Sequence, residues 1–255
     1  MHIVFIGSGR LATNLANGLR QAGHVISDIY SRTTENAEIL SQLVGGMPTD
    51  QIDDLPLEAD AFILAVKDSA IAELLPNLRK GREGQAFFHT SGSVPISVFG
   101  QHACHGVIYP MQTFSKERLV DFSRIPIFIE GSNDRALELA KVLAGSLSHH
   151  VEQRTSEERR QLHLAAVFAC NFVNHCYALS AQVLEKAGMN FEVMLPLIEE
   201  TADKVHSMHP RDAQTGPAIR YDEQVIETHL QMLNHNPLTR ELYQRMSQSI
   251  HSFAQ

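Results

Sequence analysis

The alternation of short apolar runs with helical patterns over the first 150 or so residues predicts an α/β fold built on a doubly wound parallel sheet, with an all-helical C-terminal domain behind it. Three observations carry this prediction. Residues 3–6 and 61–66 are apolar throughout, as strands covered on both faces must be. Between them Leu11, Leu15 and Leu19 recur at four-residue spacing, which is helical. Beyond residue 155 strand signals stop.

Taken in order, residues 10–21 read as the first helix and 25–30 as the second strand. A helix over 34–43 is closed by Gly45, Gly46 and Pro48. Strands follow at 61–66, 85–88, 106–109 and 125–130, then a helix at 134–147 and a short strand at 149–153. Thr155-Ser156-Glu157-Glu158 is a helix start with early acids. Residues 162–184 are apolar nearly all round, the mark of a buried helix, and further helices are expected at 191–206, 222–233 and 237–253. The domains are therefore expected at 1–154 and 155–255.

Composition narrows the function. Apolar residues make up 44% and charged residues 20% of 255, an ordinary globular balance. The net charge of -8, with no Lys/Arg run to offset it, argues against nucleic acid or an anionic membrane as partner. The N-terminus reads as a strand, not a signal peptide, and no apolar run approaches the roughly 18 residues of a membrane helix. Cys104, Cys170 and Cys176 form no Cys-x-x-Cys pair, so a reducing cytoplasm suits them.

Gly7-Ser8-Gly9-Arg10-Leu11-Ala12 is the G-x-G-x-x-A form of the dinucleotide fingerprint of Rossmann-type sheets. Gly7 permits the tight turn, Gly9 admits a pyrophosphate to the backbone, and Ala12 lets helix and strand pack closely. Placed after a buried strand and at a helix start, the pattern has its confirming context. NAD-binding versions carry an acid about 20 residues on, at the end of the second strand. Here Tyr30-Ser31-Arg32-Thr33 occupies that position. Hydroxyls and a guanidinium suit a 2′-phosphate, so Ser31, Arg32 and Thr33 predict NADP, with a solvated loop role for Arg32 as the alternative.

Ala65, Val66 and Lys67 end a central strand and are expected to line the nicotinamide side of the cleft. His89-Thr90-Ser91-Gly92 ends the next one. His89 is the first candidate proton donor and Ser91 sits beside it, although a loop-bracing role for His89 fits equally. In the apolar helix His163, Asn171, Asn174 and His175 are polar interruptions. His163 and Asn174 share a stripe, roughly 20° apart. Such groups need partners, either within the helical half, across a dimer, or in a ligand. Thr215-Gly216-Pro217 leads to Arg220 and Asp222, a helix cap or a cation offered to an anionic substrate. His102-Cys104-His105 with His206 and His209 matches no zinc spacing, and no metal is expected. Ser91 lacks the G-x-S-x-G elbow of a nucleophile.

With these residues in place, the chain resembles a bacterial family of Rossmann-like proteins provisionally assigned as NADP oxidoreductases, with a C-terminal helical domain of unknown function. Residues 6–12, 88–93, 110–114 and 163–171 carry the resemblance, together with Thr215-Gly216-Pro217, Arg220 and Asp222. More distantly the chain is similar to pyrroline-5-carboxylate reductase, prephenate dehydrogenase and the 6-phosphogluconate dehydrogenase superfamily. The resemblance implies a helical domain that dimerises and closes the cofactor cleft. Tyr109 stands where the family usually has His, and Tyr221 where it usually has Gly. The Lys-x-x-Asn pair of the hydroxyacid dehydrogenases is missing, since Val167 precedes Asn171 by four.

The resulting expectation is a cytoplasmic homodimer that transfers a hydride between NADP(H) and a small carbonyl or imine compound bearing an anionic group. His89, Ser91, His163, Asn171 and Arg220 are expected to converge at the nicotinamide. The alternative is a catalytically silent NADP-binding sensor or regulatory protein.

Overall fold

The computed structural model describes residues 1–253. The chain forms two compact units, Met1–Asn171 and the residues from Phe172 on.

The first unit is an eight-stranded sheet. Its strands are β1 (His2–Ile6), β2 (Val25–Tyr30), β3 (Met47–Thr49), β4 (Ala61–Leu64), β5 (Ala86–His89), β6 (Cys104–Pro110), β7 (Ile127–Gly131) and β8 (Val151–Gln153), in the order β3-β2-β1-β4-β5-β6-β7-β8. From β3 to β6 all neighbours are parallel, whereas β6 and β7 are antiparallel. Helices α1 (Arg10–Gln21), α2 (Thr34–Val44), α3 (Asp68–Arg79) and α4 (Asp134–Gly145) connect them. The doubly wound character follows from strand alternation: Ile3 and Phe5 join Ala12, Leu15 and Leu19 of α1 in one core. Val4 and Ile6 join Phe62, Leu64 and α3's Ile71, Leu75 and Leu78 in the other. Successive side chains of one strand thus seed cores on opposite faces. The order reverses between β1 and β4, the switch point at which such sheets bind ligands.

Strand signals end at residue 153, near the expected boundary, but compactness carries the first unit on to Asn171. The reason is α5 (Ser156–Ala166), whose Arg159 side chain is locked into the β5 loop.

The second unit is helical: α6 (Val173–Lys186), α7 (Leu195–Ser207), α8 (Glu223–Met232) and α9 (Pro237–Phe253). One π-helical stretch, Val167–Phe172, joins α5 to α6. Two expectations are corrected here. The helical run Ser156–Lys186 is, by length and composition, apolar enough to cross a membrane, because the polar interruptions are too few to lower its mean hydropathy. Nor is it buried: Leu164, Val173 and Val183 are exposed, since none of the described residues covers them.

Candidate functional site at the carboxyl ends of the strands

At the end of β1 the backbone turns at Gly7 with φ +113°, a left-handed conformation that favours glycine. The Gly7 amide donates to the Tyr30 carbonyl at 2.8 Å, and a side chain here would be driven into the Ala65 carbonyl and within 2.9 Å of Val66. Space, not chemistry, dictates Gly7. Gly9 differs. It precedes α1 with no side-chain cap on the helix, and a Cβ added to it meets nothing within 4 Å. Open volume in front of free helix amides is what a pyrophosphate requires.

Ser8 donates to Ser31 at 2.9 Å, and both hydroxyls are buried, so the end of β2 is tied to the glycine turn. Arg32 and Thr33 follow, exposed, at the start of α2, which also lacks a side-chain cap. Asp28 lies inside β2, and no carboxylate stands at its end. The exposed Lys67 precedes α3, while Ala65 is buried beneath the Gly7 turn.

A second cluster surrounds Gly92. Ser91 Oγ accepts from the amides of Ser93 and Val94 at 3.1 and 3.0 Å, folding the segment into a tight turn. A Cβ on Gly92 would lie 2.7 Å from His163 Nδ1 and 2.8 Å from Tyr109 Cζ. Those two groups are themselves paired: Tyr109 OH and His163 Nδ1 are 3.2 Å apart, in a hydrogen bond whose direction the tautomer sets. Burial raises the Tyr109 phenol above its ordinary pKa. The Arg159 charge opposes that rise and Asp68 adds to it. Asp68, in the first turn of α3, accepts from the Ser93 hydroxyl.

Behind the turn sits Arg159, 1% exposed. It donates to the carbonyls of Ser91 (3.2 Å) and Val94 and pairs with Glu130 of β7, which also holds Ser156 through both its amide and its hydroxyl. Asn14 of α1 braces the segment after β6, donating to the Ser115 carbonyl at 2.7 Å and accepting from the Val120 amide at 3.0 Å.

His89, Ser91 and His163 are thus brought together, but not in like roles. His89 is completely enclosed, stacked on Phe99 with ring centroids 5.6 Å apart. Desolvation lowers its pKa to about 3, with the Arg159 charge helping and the Pro95 carbonyl opposing. Its Nδ1 accepts from the Ser91 amide at 3.2 Å, and its Nε2 has no hydrogen-bond partner among the described residues. It is a neutral brace near pH 7. Asn171 is exposed in the π-helical stretch, and no hydrogen bond joins it to the cluster among the described residues. Arg220 is exposed in the second unit, two residues before the Asp222 cap of α8.

Sequence reasoning missed Arg159, Glu130 and Asp68, and met Tyr109 only as a departure from a family pattern. For Arg159 no signal existed, because the helix start that contains it has the composition of a solvated turn. Tyr109 could have been found from its place at the end of a fully buried strand.

A doubly wound sheet with a glycine turn at its switch point, followed by a helical half, defines a Rossmann-type protein. Residues 1–113 match the Rossmann-like domain family, and residues 125–250 match the Domain of unknown function (DUF2520). A Bacteroides fragilis protein provisionally named an NADP oxidoreductase is 50% identical, with 98% of each chain covered and a TM-score of 0.95. The chain belongs to this family, in which the Rossmann-like domain is joined to that domain of unknown function. A Thermotoga maritima protein shares the fold at 24% identity, 99% of each chain and a TM-score of 0.82. So does a pyrroline-5-carboxylate reductase from Coxiella burnetii, at 18% identity, 99% of this chain, 96% of its own and a TM-score of 0.58. No curated protein matches the chain.

Proposed function

We propose that the protein is an NADP-dependent oxidoreductase that transfers a hydride between NADP(H) and a small carbonyl or imine compound carrying an anionic group. The observation that carries this reading is the open volume at Gly9, in front of the uncapped α1 that follows β1, on the same carboxyl edge of the sheet as the Tyr109–His163 pair, which lies three strands across at the end of β6. The provisional name of the Bacteroides relative agrees with it.

The Gly7-Ser8-Gly9-Arg10-Leu11 turn would hold the pyrophosphate by its amides. Ser31, Arg32 and Thr33 would hold a 2′-phosphate, and Ala65, Val66 and Lys67 would border the nicotinamide. When bound, the reduced cofactor supplies the hydride that reaches the substrate carbon. His163 delivers the proton to the substrate oxygen or nitrogen, with Tyr109 fixing its ring. His89 and Ser91 shape the turn beneath them and do not donate. Asn171 would add its amide to the contacts with substrate, and Arg220 is the guanidinium that the sequence offers to the anionic group.

The second half, residues 155–255, serves as the substrate and dimerisation domain. A second copy of the chain covers the exposed stretch around Leu164, Val173 and Val183. His163, Asn171, Asn174 and His175 in that stretch favour a protein partner over lipid, and the unpaired cysteines and acidic charge fit the cytoplasm. Sedimentation should show a dimer at micromolar concentration. A monomer, or a protein that pellets with vesicles, refutes that assembly.

The test is NADPH consumption across a panel of small oxo acids and imino acids. His163→Gln should lower turnover by about 10²–10⁴-fold while NADPH still binds. Tight NADPH binding with no turnover of any compound would leave the sensor reading standing instead.

A further inference from the structure

The first unit buries two arginines that the proposed chemistry does not use, Arg82 and Arg159, and of these Arg159 is bonded to the candidate site. Arg159 is 1% exposed, and every hydrogen bond of its side chain among the described residues runs to the β5 turn or to the Glu130–Ser156 pair. A buried guanidinium is costly unless fully bonded, and replacing such a pair by apolar groups is often neutral or stabilising. Its retention therefore asks for something more than stability. Its position supplies an answer, because the two carbonyls it holds, those of Ser91 and Val94, bracket Gly92, the residue on which Tyr109 and His163 meet.

We propose that Arg159, oriented by Glu130, is a positioning residue that fixes the Ser91–Val94 turn beneath the Tyr109–His163 pair and places its positive charge where it acts on the Tyr109 phenol. The two acceptor carbonyls set the height of Gly92, and with it the gap into which the phenol and imidazole fit. The charge acts separately. Asp68 of α3 faces the pair with a negative charge. Arg159 of α5 faces it with a positive one that Glu130 of β7 partly neutralises, and the His163 imidazole lies against the phenol. Tyr109 ionises at the balance of these groups. The proposal rests on the oxidoreductase reading for its consequence in catalysis, but not for its test.

That test uses the full-length protein with difluorotyrosine in place of all five tyrosines, so that the phenols titrate within the folded range. The fluorine resonance of Tyr109 is the one lost in Tyr109→Phe. Arg159→Gln should move its ionisation about one pH unit higher. Glu130→Gln should move it lower, because the guanidinium then acts unopposed, and Arg159→Lys should stay close to the parent value. Opposite signs are the discriminating result, since mere loosening of the turn would push both variants the same way. A folded Arg159→Gln whose Tyr109 titrates unchanged, or two shifts of the same sign, overturns the proposal. If Arg159→Gln does not fold, Glu130→Gln decides alone: its Gln still accepts from the Ser156 amide, and an upward or absent shift refutes the idea. Should no NADPH turnover ever be found, this titration would be untouched, so the two readings fail separately.

Discussion

The β1–α1 turn is made of consecutive residues whose identities follow from backbone space, whereas the cluster around Gly92 is assembled from α3, the β5 loop, β6, β7 and α5. In the first, each glycine answers a local constraint: Gly7 a left-handed φ, Gly9 an approach that must stay open. In the second, a residue's part depends on what another element brings to it, as Tyr109 meets His163 across 54 positions of sequence. Constraints of the first kind leave a written motif. Those of the second leave only residue types that fit several readings.

The sharpest way to probe that contrast is a pair of glycine substitutions. Gly7→Ala meets both a forbidden φ and the Ala65 carbonyl, so it should destabilise the protein by about 3 kcal/mol or more. Gly9→Ala meets open space and should fold with near-parental stability, yet bind NADPH poorly. Thermal unfolding beside cofactor fluorescence separates the two. A Gly9→Ala variant that binds NADPH normally removes the pyrophosphate from that turn.

The end of β2 comes next. Arg32→Ala should weaken NADPH by roughly 10–150-fold, the loss of a charged hydrogen bond worth about 1.5–3 kcal/mol, and leave NADH nearly unchanged. Equal losses for both cofactors would mean that Arg32 senses something other than the 2′-phosphate.

The cluster has its own signature in pH. His89 is held neutral down to about 3, while an unfolded chain protonates it near 6.5. Between those values the unfolded state binds the extra proton. Stability is therefore complete above about 6.5 and falls as pH drops, by about 1.4 kcal/mol per pH unit. Burial lowers His102 and His105 likewise, and they add to the slope. His89→Gln should flatten the acid limb of urea-unfolding stability between pH 6 and 4 by roughly that amount per unit. An unchanged limb would show that the imidazole is hydrated or protonated in the folded protein.

The doubly wound sheet was legible because period-two and four-residue spacings record burial directly. The expected runs at 25–30, 34–43 and 134–147 became β2, α2 and α4 with ends displaced by two residues at most. The turn at Gly7 was legible for another reason, since a positive φ and a crowded Cβ position call for glycine. The state of His89 is not legible, because sequence shows a histidine at a strand end but not the burial against Phe99 and the Arg159 charge that keep it neutral. Residues 162–184 were judged buried because apolarity signals a covered face without saying whether the cover lies in the same chain. Arg159 was invisible, since burial of a charged side chain is a property of its partners.

One backbone constraint in the second unit tests whether the rule drawn from Gly7 holds away from the cofactor. Tyr221 is the one non-glycine residue with positive φ among those described, at +52°. It closes the turn in which the Tyr221 amide donates to Ala218 at 3.2 Å and that of Asp222 to Pro217 at 2.9 Å, ahead of the α8 cap. A left-handed side chain costs about 1 kcal/mol relative to glycine. The Tyr221 ring recovers part of this against His251, 4.5 Å away between centroids. Tyr221→Gly alone therefore mixes two effects of opposite sign. Comparing Tyr221→Gly with Tyr221→Ala removes the ring from both and leaves only the backbone term. The glycine variant should be the more stable by about 1 kcal/mol in urea unfolding. If the two are equal, the turn tolerates a Cβ without strain, and space at the backbone governs the first unit's glycines but not this turn.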